Sequence, residues 1–154
     1  YVCKGLAPDW QSHLPEGFTV CRITSELLNR PGLKISDHVY GWMRNNWGTT
    51  SWFLERGFGF VTVHGEEVVS WSLADCISGS RCEIGICTVP NYRRRGLATV
   101  TAAASVDYAL SHGFSMVGWH CDDENLGSIG TAEKIGFTKE RNYTMYDLYL
   151  DEEI

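Results

Sequence analysis

The sequence predicts a mixed α/β (α+β) fold: a mostly antiparallel sheet with a central parallel β-α-β unit, flanked by helices. Three observations lead there. The apolar run 84–89 ends at Pro90, a helical pattern runs from Gly96 to His112, and a second strand-like run follows at 115–121. A strand, a crossover helix and a strand in that order leave the two strands parallel and the crossover right-handed. Upstream, the β-rich runs 53–63, 67–73 and 81–89 are separated only by turn residues, which is the pattern of an antiparallel meander. Further helical patterns at 37–46 and 126–135 supply the flanking layers.

The elements follow in order. Residues 1–16 carry Gly5, Pro8 and Pro15 with little periodicity and read as a lead-in arm. Residues 17–23 read as a first strand. A short helical piece at 25–28 is ended by Asn29, Arg30, Pro31 and Gly32. Ser36 or Asp37 can cap a second helix, which places Val39, Tyr40 and Met43 on one side and stops at Gly48. The strand-like runs 53–63 and 67–73 flank His64-Gly65-Glu66, and a glycine between two β-rich runs signals a hairpin. A turn at 75–80 leads to the strand 81–89, where Pro90 cannot extend a ladder. The helix from Gly96 carries Leu97, Val100, Thr101, Ala104, Tyr108 and Leu110 at helical spacing, and its small Ala102 and Ala103 allow close packing. After the strand 115–121, Asn125 opens the helix 126–135 and Gly136 caps it. Phe137 starts a final antiparallel pair with Asn142 and Tyr143 near its turn. The expected organisation is an arm at 1–16, one domain at 17–150 and a tail at 151–154.

Composition narrows the function classes. The chain has 154 residues, 44% apolar and 21% charged, which suits one domain with a sizeable core. No apolar run approaches the length of a membrane span, and no signal-peptide pattern opens the chain. The first residue is Tyr1 rather than Met, so a trimmed product and the C-terminal part of a longer chain both stay open. A formal net charge of −6 argues against nucleic acid or an anionic membrane as the main partner. The six cysteines show no Cys-x-x-Cys spacing, so no metal site is expected. Several fall in apolar runs, where cysteine behaves as a small hydrophobe, and a reducing, cytoplasmic setting follows.

The chemistry concentrates after the strand 81–89. Arg93, Arg94 and Arg95 bring positive charge to the turn, and Gly96 and Ala98 keep side chains off the first helical turn. Orphan amides and the positive end of the helix dipole make such a turn an anion site, best suited to phosphate. Arg93-x-x-Gly96-x-Ala98 resembles motif A of the GNAT N-acetyltransferase superfamily, written Gln/Arg-x-x-Gly-x-Gly/Ala, which holds the pyrophosphate of acetyl-CoA. The element order from 17 to about 150 is the one expected of a GNAT domain. Asn125 stands eleven positions before the Gly136 of a Gly-Phe pair, as in the family's motif B. The phrases Glu83-Ile84-Gly85-Ile86, Gly96-Leu97-Ala98-Thr99 and Thr131-Ala132-Glu133-Lys134 resemble a bacterial subgroup in which this domain often ends a longer chain.

The resemblance implies an acetyl-CoA-dependent N-acetyltransferase acting on a primary amine, with acetyl-CoA as co-substrate and no metal. It implies that Cys87, Thr88 and Val89 offer backbone groups to the pantetheine arm. Where two parallel strands splay, one strand loses partners, and a peptide-like ligand can add to its edge. The pyrophosphate is assigned to Arg94, Arg95, Gly96, Leu97, Ala98, Thr99 and Val100, mainly through main-chain amides. Thr99 can equally pack locally. Asn125 is assigned to the cofactor arm and suits a helix N-cap as well. Glu83 stands where several family members carry a glutamate base. His120, with Asp122 and Asp123 beside it to orient it, is the rival base.

Ala132 stands where many members place a tyrosine that protonates the leaving thiolate. Tyr143, Tyr146, His120 or water must serve instead, or catalysis is weak. Trp42, Trp47 and Trp52 are candidates for an aromatic wall at the acceptor site, although core packing suits at least two of them. The expected partners are acetyl-CoA and an amine acceptor, without nucleic acid or membrane, and a homodimer stays open. The alternative function is a non-catalytic acyl-CoA-binding module of a longer chain.

Overall fold

A computed structural model describes residues 1–6 and 9–146. Its elements in chain order are β1 (Val2–Cys3), β2 (Phe18–Arg22), α1 (Ser25–Leu28), α2 (Asp37–Trp47), α3 (Thr50–Arg56), β3 (Gly59–His64), β4 (Glu67–Ser78), β5 (Arg81–Thr88), α4 (Leu97–Ser111), β6 (Met116–Gly118) and α5 (Leu126–Ile135). Short 3-10 turns lie at Trp10–His13 and Pro90–Tyr92. The six strands form one mixed sheet in the order β1-β6-β5-β4-β3-β2. The β5–β6 pair is parallel and the other pairs are antiparallel, as the crossover pattern predicts.

Strand alternation sorts the side chains into two cores. On one face, Cys82, Ile84 and Val117 pack against Ala102, Ala103, Val106 and Ala109 of α4 and against Ala132 and Ile135 of α5. The run of small residues lets α4 lie close on the sheet, and its Thr101 hydroxyl meets the Thr62 hydroxyl at 2.6 Å in the interior. On the other face, Val39 and Met43 of α2 and Phe53 of α3 cover Val61, Trp71 and Leu73. Thr24, Ser36 and Thr49 cap α1, α2 and α3 through side-chain oxygens.

The structure corrects four expectations, and a fifth lies partly outside the described residues. Residues 50–56, half expected as strand, form a helix. Thr49 caps it, Phe53 seats it in the core, and Gly57 ends it where a Cβ would lie 2.8 Å from the Phe53 ring. The expected turn at 75–80 is strand as far as Ser78, with the reversal at Gly79 and Ser80. The arm 1–16 is not all arm: Val2 and Cys3 pair with Gly118 and Val117, and Cys3 is buried. The strand expected at 115–121 spans only Met116–Gly118. The final antiparallel pair is not formed among the described residues; Thr138 bridges Val2 instead, and part of the second limb and the tail 151–154 lie outside the described residues. Among the described residues, no helix is long and apolar enough to cross a membrane.

Candidate active site

The site begins where β5 and β6 separate. The parallel ladder joins Arg81, Cys82 and Glu83 to Met116, Val117 and Gly118 and goes no further. Beyond Glu83, β5 continues to Thr88, paired only with β4. Along a strand, backbone groups point alternately to either neighbour. The Val89 amide donates to the Val69 carbonyl at 2.9 Å, so Val89 and Cys87 turn their backbone groups toward β4. By the same alternation, Ile84, Ile86 and Thr88 face the open edge. Of the three residues expected to line that edge, Thr88 alone faces it, and its carbonyl accepts from Arg93 Nε at 3.1 Å. Ile86, which the sequence reading did not place there, faces the same edge.

The basic turn follows. Arg94 and Gly96 both have positive φ, 61° and 78°, so two left-handed residues bracket Arg95. This compound turn aims neighbouring amides to one side. No side chain caps α4, and the first helical bond is Val100 N–H to the Gly96 carbonyl at 3.2 Å. The amides of Leu97, Ala98 and Thr99 therefore lack helical acceptors. A Cβ built at Gly96 meets nothing within 4 Å, which leaves the approach to them open. Donors arranged at the start of a 15-residue helix suit a phosphate. The three arginines do not act as one patch. Arg93 folds back on Thr88, Arg95 lies over the Tyr92 ring with its guanidinium 5.2 Å from the centroid, and Arg94 is exposed.

A cleft of about 870 Å³ opens beside the splayed edge, lined by Trp42, Asp75, Glu83, Ile86, His120 and Tyr143 among others. Glu83 and His120, rivals in the sequence reading, are joined: Glu83 Oε1 lies 2.7 Å from His120 Nε2. His120 Nδ1 lies 2.8 Å from the Tyr143 hydroxyl. The carboxylate that orients His120 is therefore Glu83, whereas Asp122 and Asp123 are exposed on the rim. Gly118 makes room for this contact, since a Cβ there would sit 2.9 Å from Glu83 Cγ.

Asp75, which the sequence reading placed in a turn, lies on the floor of the cleft. Its Oδ1 accepts from Trp42 Nε1 at 2.6 Å and from Asn46 Nδ2 at 2.9 Å. Burial pushes its carboxyl up to about 6, with the nearby Glu83 charge adding to the rise and the Trp42 hydrogen bond opposing it. Of the three candidate tryptophans, Trp42 alone lines the cleft. Trp47 donates to the Ala74 carbonyl at 2.7 Å and packs on Phe53, and Trp52 is exposed beneath Arg56. Asn125 caps α5, accepting from the Ser128 amide at 3.1 Å, and also borders the cleft. Among the described residues, no group of three or more His, Cys, Asp or Glu side chains is placed to hold a metal ion.

Comparison with known proteins identifies the family and the fold. The sequence model described as GNAT acetyltransferase matches residues 4–146. An uncharacterised N-acetyltransferase of Bacillus subtilis, YdfB, is 32% identical over 133 residues, 86% of this chain and 49% of its own. A second from the same organism, YjdG, is 32% identical over 91 residues, 58% of this chain and 52% of its own. The chain thus spans about half the length of the curated relatives it matches. Among solved structures, a GCN5-related N-acetyltransferase-like protein from Streptococcus suis superposes with a TM-score of 0.66 and 28% identity, over 88% of this chain and 54% of that one. The aminoglycoside N-acetyltransferase AAC(6')-Iy, in complex with a CoA-based bisubstrate analogue, gives a TM-score of 0.64 at 16% identity, over 86% of this chain and 99% of that one, a likeness of fold.

Proposed function

The chain belongs to the GNAT acetyltransferase family, and on that premise we propose that it transfers the acetyl group of acetyl-CoA to a primary amine. The observation that carries the reading is the linked set Glu83, His120 and Tyr143 in a cleft beside the open edge of β5. In this reading Ile86 and Thr88 pair with the amide groups of the pantetheine arm, as an added strand would. The amides of Leu97, Ala98 and Thr99 hold the pyrophosphate, with Arg94 and Arg95 beside them and Val100 closing the first helical turn. Asn125 borders the arm from the start of α5.

The amine attacks the thioester carbonyl, the carbon–sulfur bond breaks, and the thiolate leaves. The attacking nitrogen must shed a proton, and Glu83 is placed to take it. The Glu83 carboxylate keeps that proton, held in place by the His120 Nε2–H it accepts from, while Tyr143, beside His120 Nδ1, gives its hydroxyl proton to the departing sulfur; Glu83 then returns its proton to solvent and Tyr143 regains one. One proton is lost at nitrogen and one gained at sulfur, and Tyr143 fills the gap left by Ala132. One observation favours the alternative of a non-catalytic binding module: Ala132 is fully buried and offers no acid from α5.

The experiment is release of free CoA from acetyl-CoA across a panel of amines. The panel includes aminoglycosides, since the neighbour AAC(6')-Iy is named for them, together with polyamines, lysine and peptide N-termini. Amine-dependent release supports the enzyme. Binding of acetyl-CoA with no release from any amine supports the module.

A further inference from the structure

We propose that Asp75 is a positioning residue that clamps Trp42 against β5 and so sets the acceptor wall of the cleft; this rests on the acetyltransferase reading above. Three features of the fold place it there. First, the β4–β5 register slips between Ala74 and Cys76, so Asp75 is the extra residue of a bulge. A bulge re-aims a side chain that a regular ladder would send elsewhere. Second, both donors that reach Asp75 Oδ1 come from α2: Trp42 Nε1 at 2.6 Å and Asn46 Nδ2 at 2.9 Å. One carboxylate oxygen thus ties the helix to the sheet. Third, the wall leans on a missing side chain. A Cβ at Gly85 would collide with the Trp42 ring and lie 2.9 Å from Asp75 Oδ2. Trp42, Asp75 and Gly85 therefore pack as a unit across the gap between α2 and β5, next to Glu83.

The clamp is strongest when Asp75 is ionised, because hydrogen bonds to a charged acceptor are shorter and stronger than neutral ones. The titratable groups around it are Glu83 of β5, His120 after β6 and Cys76, next along β4. Burial is the main reason its carboxyl holds a proton up to about 6, and the Glu83 charge adds to it. Protonation below that pH leaves Trp42 and Asn46 with a weaker acceptor, so the wall loosens while Glu83, His120 and Tyr143 keep their places.

Two measurements on the whole chain test this. In the first, carboxyl carbons and indole N–H groups are followed by NMR across pH 4 to 8. Asp75 is expected to titrate near 6, the Trp42 indole signal to move with the same midpoint, and Glu83→Gln to lower that midpoint. In Asp75→Asn the Trp42 signal stops responding. A Trp42 signal that ignores the Asp75 titration overturns the clamp, whatever the protein catalyses. In the second, Asp75→Asn is expected to raise the acceptor KM about five- to tenfold, more than it lowers kcat, and to leave acetyl-CoA binding alone. The rise of wild-type acceptor KM as pH falls through about 6 should vanish in this variant. A loss confined to kcat, with KM and its pH dependence intact, also overturns the proposal. Absence of turnover with every amine counts against the acetyltransferase reading only, and the NMR result still decides the clamp.

Discussion

Glu83 Oε1 lies 2.7 Å from His120 Nε2, although the two residues sit 37 positions apart, one on β5 and the other just after β6. The parallel β5–β6 ladder brings them together, for its last register pair is Glu83 with Gly118, two residues before His120. A carboxylate and an imidazole in one hydrogen bond form one unit; in the proposed reaction the imidazole holds the carboxylate that acts as base.

Tyr143 completes that unit at 2.8 Å from His120 Nδ1. Tyr143→Phe removes the terminal donor and keeps the ring. We expect kcat to fall about tenfold or more, since general acid assistance is worth roughly two to four orders of magnitude and water replaces part of it. The drop should shrink with a thioester whose thiolate is a better leaving group. An equal loss for good and poor leaving groups rules out a role at sulfur.

The turn proposed to hold the pyrophosphate depends on Gly96, whose φ of 78° is strained for any other residue. Acetyl-CoA should raise the Tm of the wild type, because it binds only the folded state. Gly96→Glu sets a carboxylate at the mouth of the Leu97, Ala98 and Thr99 amides and should abolish that rise. Gly96→Ala, which costs about 1 kcal/mol in backbone strain, serves as the control for folding. A normal acetyl-CoA shift in Gly96→Glu would place the phosphates elsewhere.

Asp75 is expected to cost stability. Its carboxyl is raised from 3.8 to about 6 in the fold. The folded state therefore binds the proton more tightly than the unfolded chain, and stability falls as pH rises from about 4 to about 6. Asp75→Asn removes the charge and keeps an acceptor for Trp42 and Asn46. Its unfolding free energy should match that of the wild type near pH 4 and exceed it above pH 6, by about 1–2 kcal/mol after allowance for solvent screening. A constant difference across this range would mean that Asp75 is not strained in its charged form.

All six cysteines are unpaired. Thiol titration in denaturant without reductant should count six. In the native state Cys82 should react last, because burial pushes its thiol up to about 12. A count below six in fresh protein would contradict the structure.

Much of this was legible in the chain. Pro90, the turn before Gly96 and the helical spacing to His112 specify the crossover by local chemistry alone, and the parallel pair follows from its handedness. Other features are set by contacts distant in sequence. The helix at 50–56 hides inside a run whose Trp52, Phe53 and Leu54 suit a strand equally well; Thr49 below and the tight fit at Gly57 above decide it. Asp75 looks like a turn residue until the bulge is known. The backbone parity of β5 cannot be read without its partner, so the sequence could not show that Ile86 and Thr88 face the open edge while Cys87 and Val89 turn toward β4. Trp47 and Trp52 lie near Trp42 in sequence but not in role: Trp47 is five residues further along α2, about 140° round the helix, and Trp52 lies on α3, beyond the reversal at Gly48.

The most direct test is amine-dependent release of CoA, measured on the wild type and on Glu83→Gln in parallel. The wild type should release CoA with at least one amine of the panel, and Glu83→Gln should lower kcat about a hundredfold to ten-thousandfold while acetyl-CoA binding changes little. The variant's rate should climb with pH as free amine replaces ammonium. Near-normal turnover in Glu83→Gln, or no amine-dependent release from the wild type in spite of acetyl-CoA binding, would contradict the proposed catalysis.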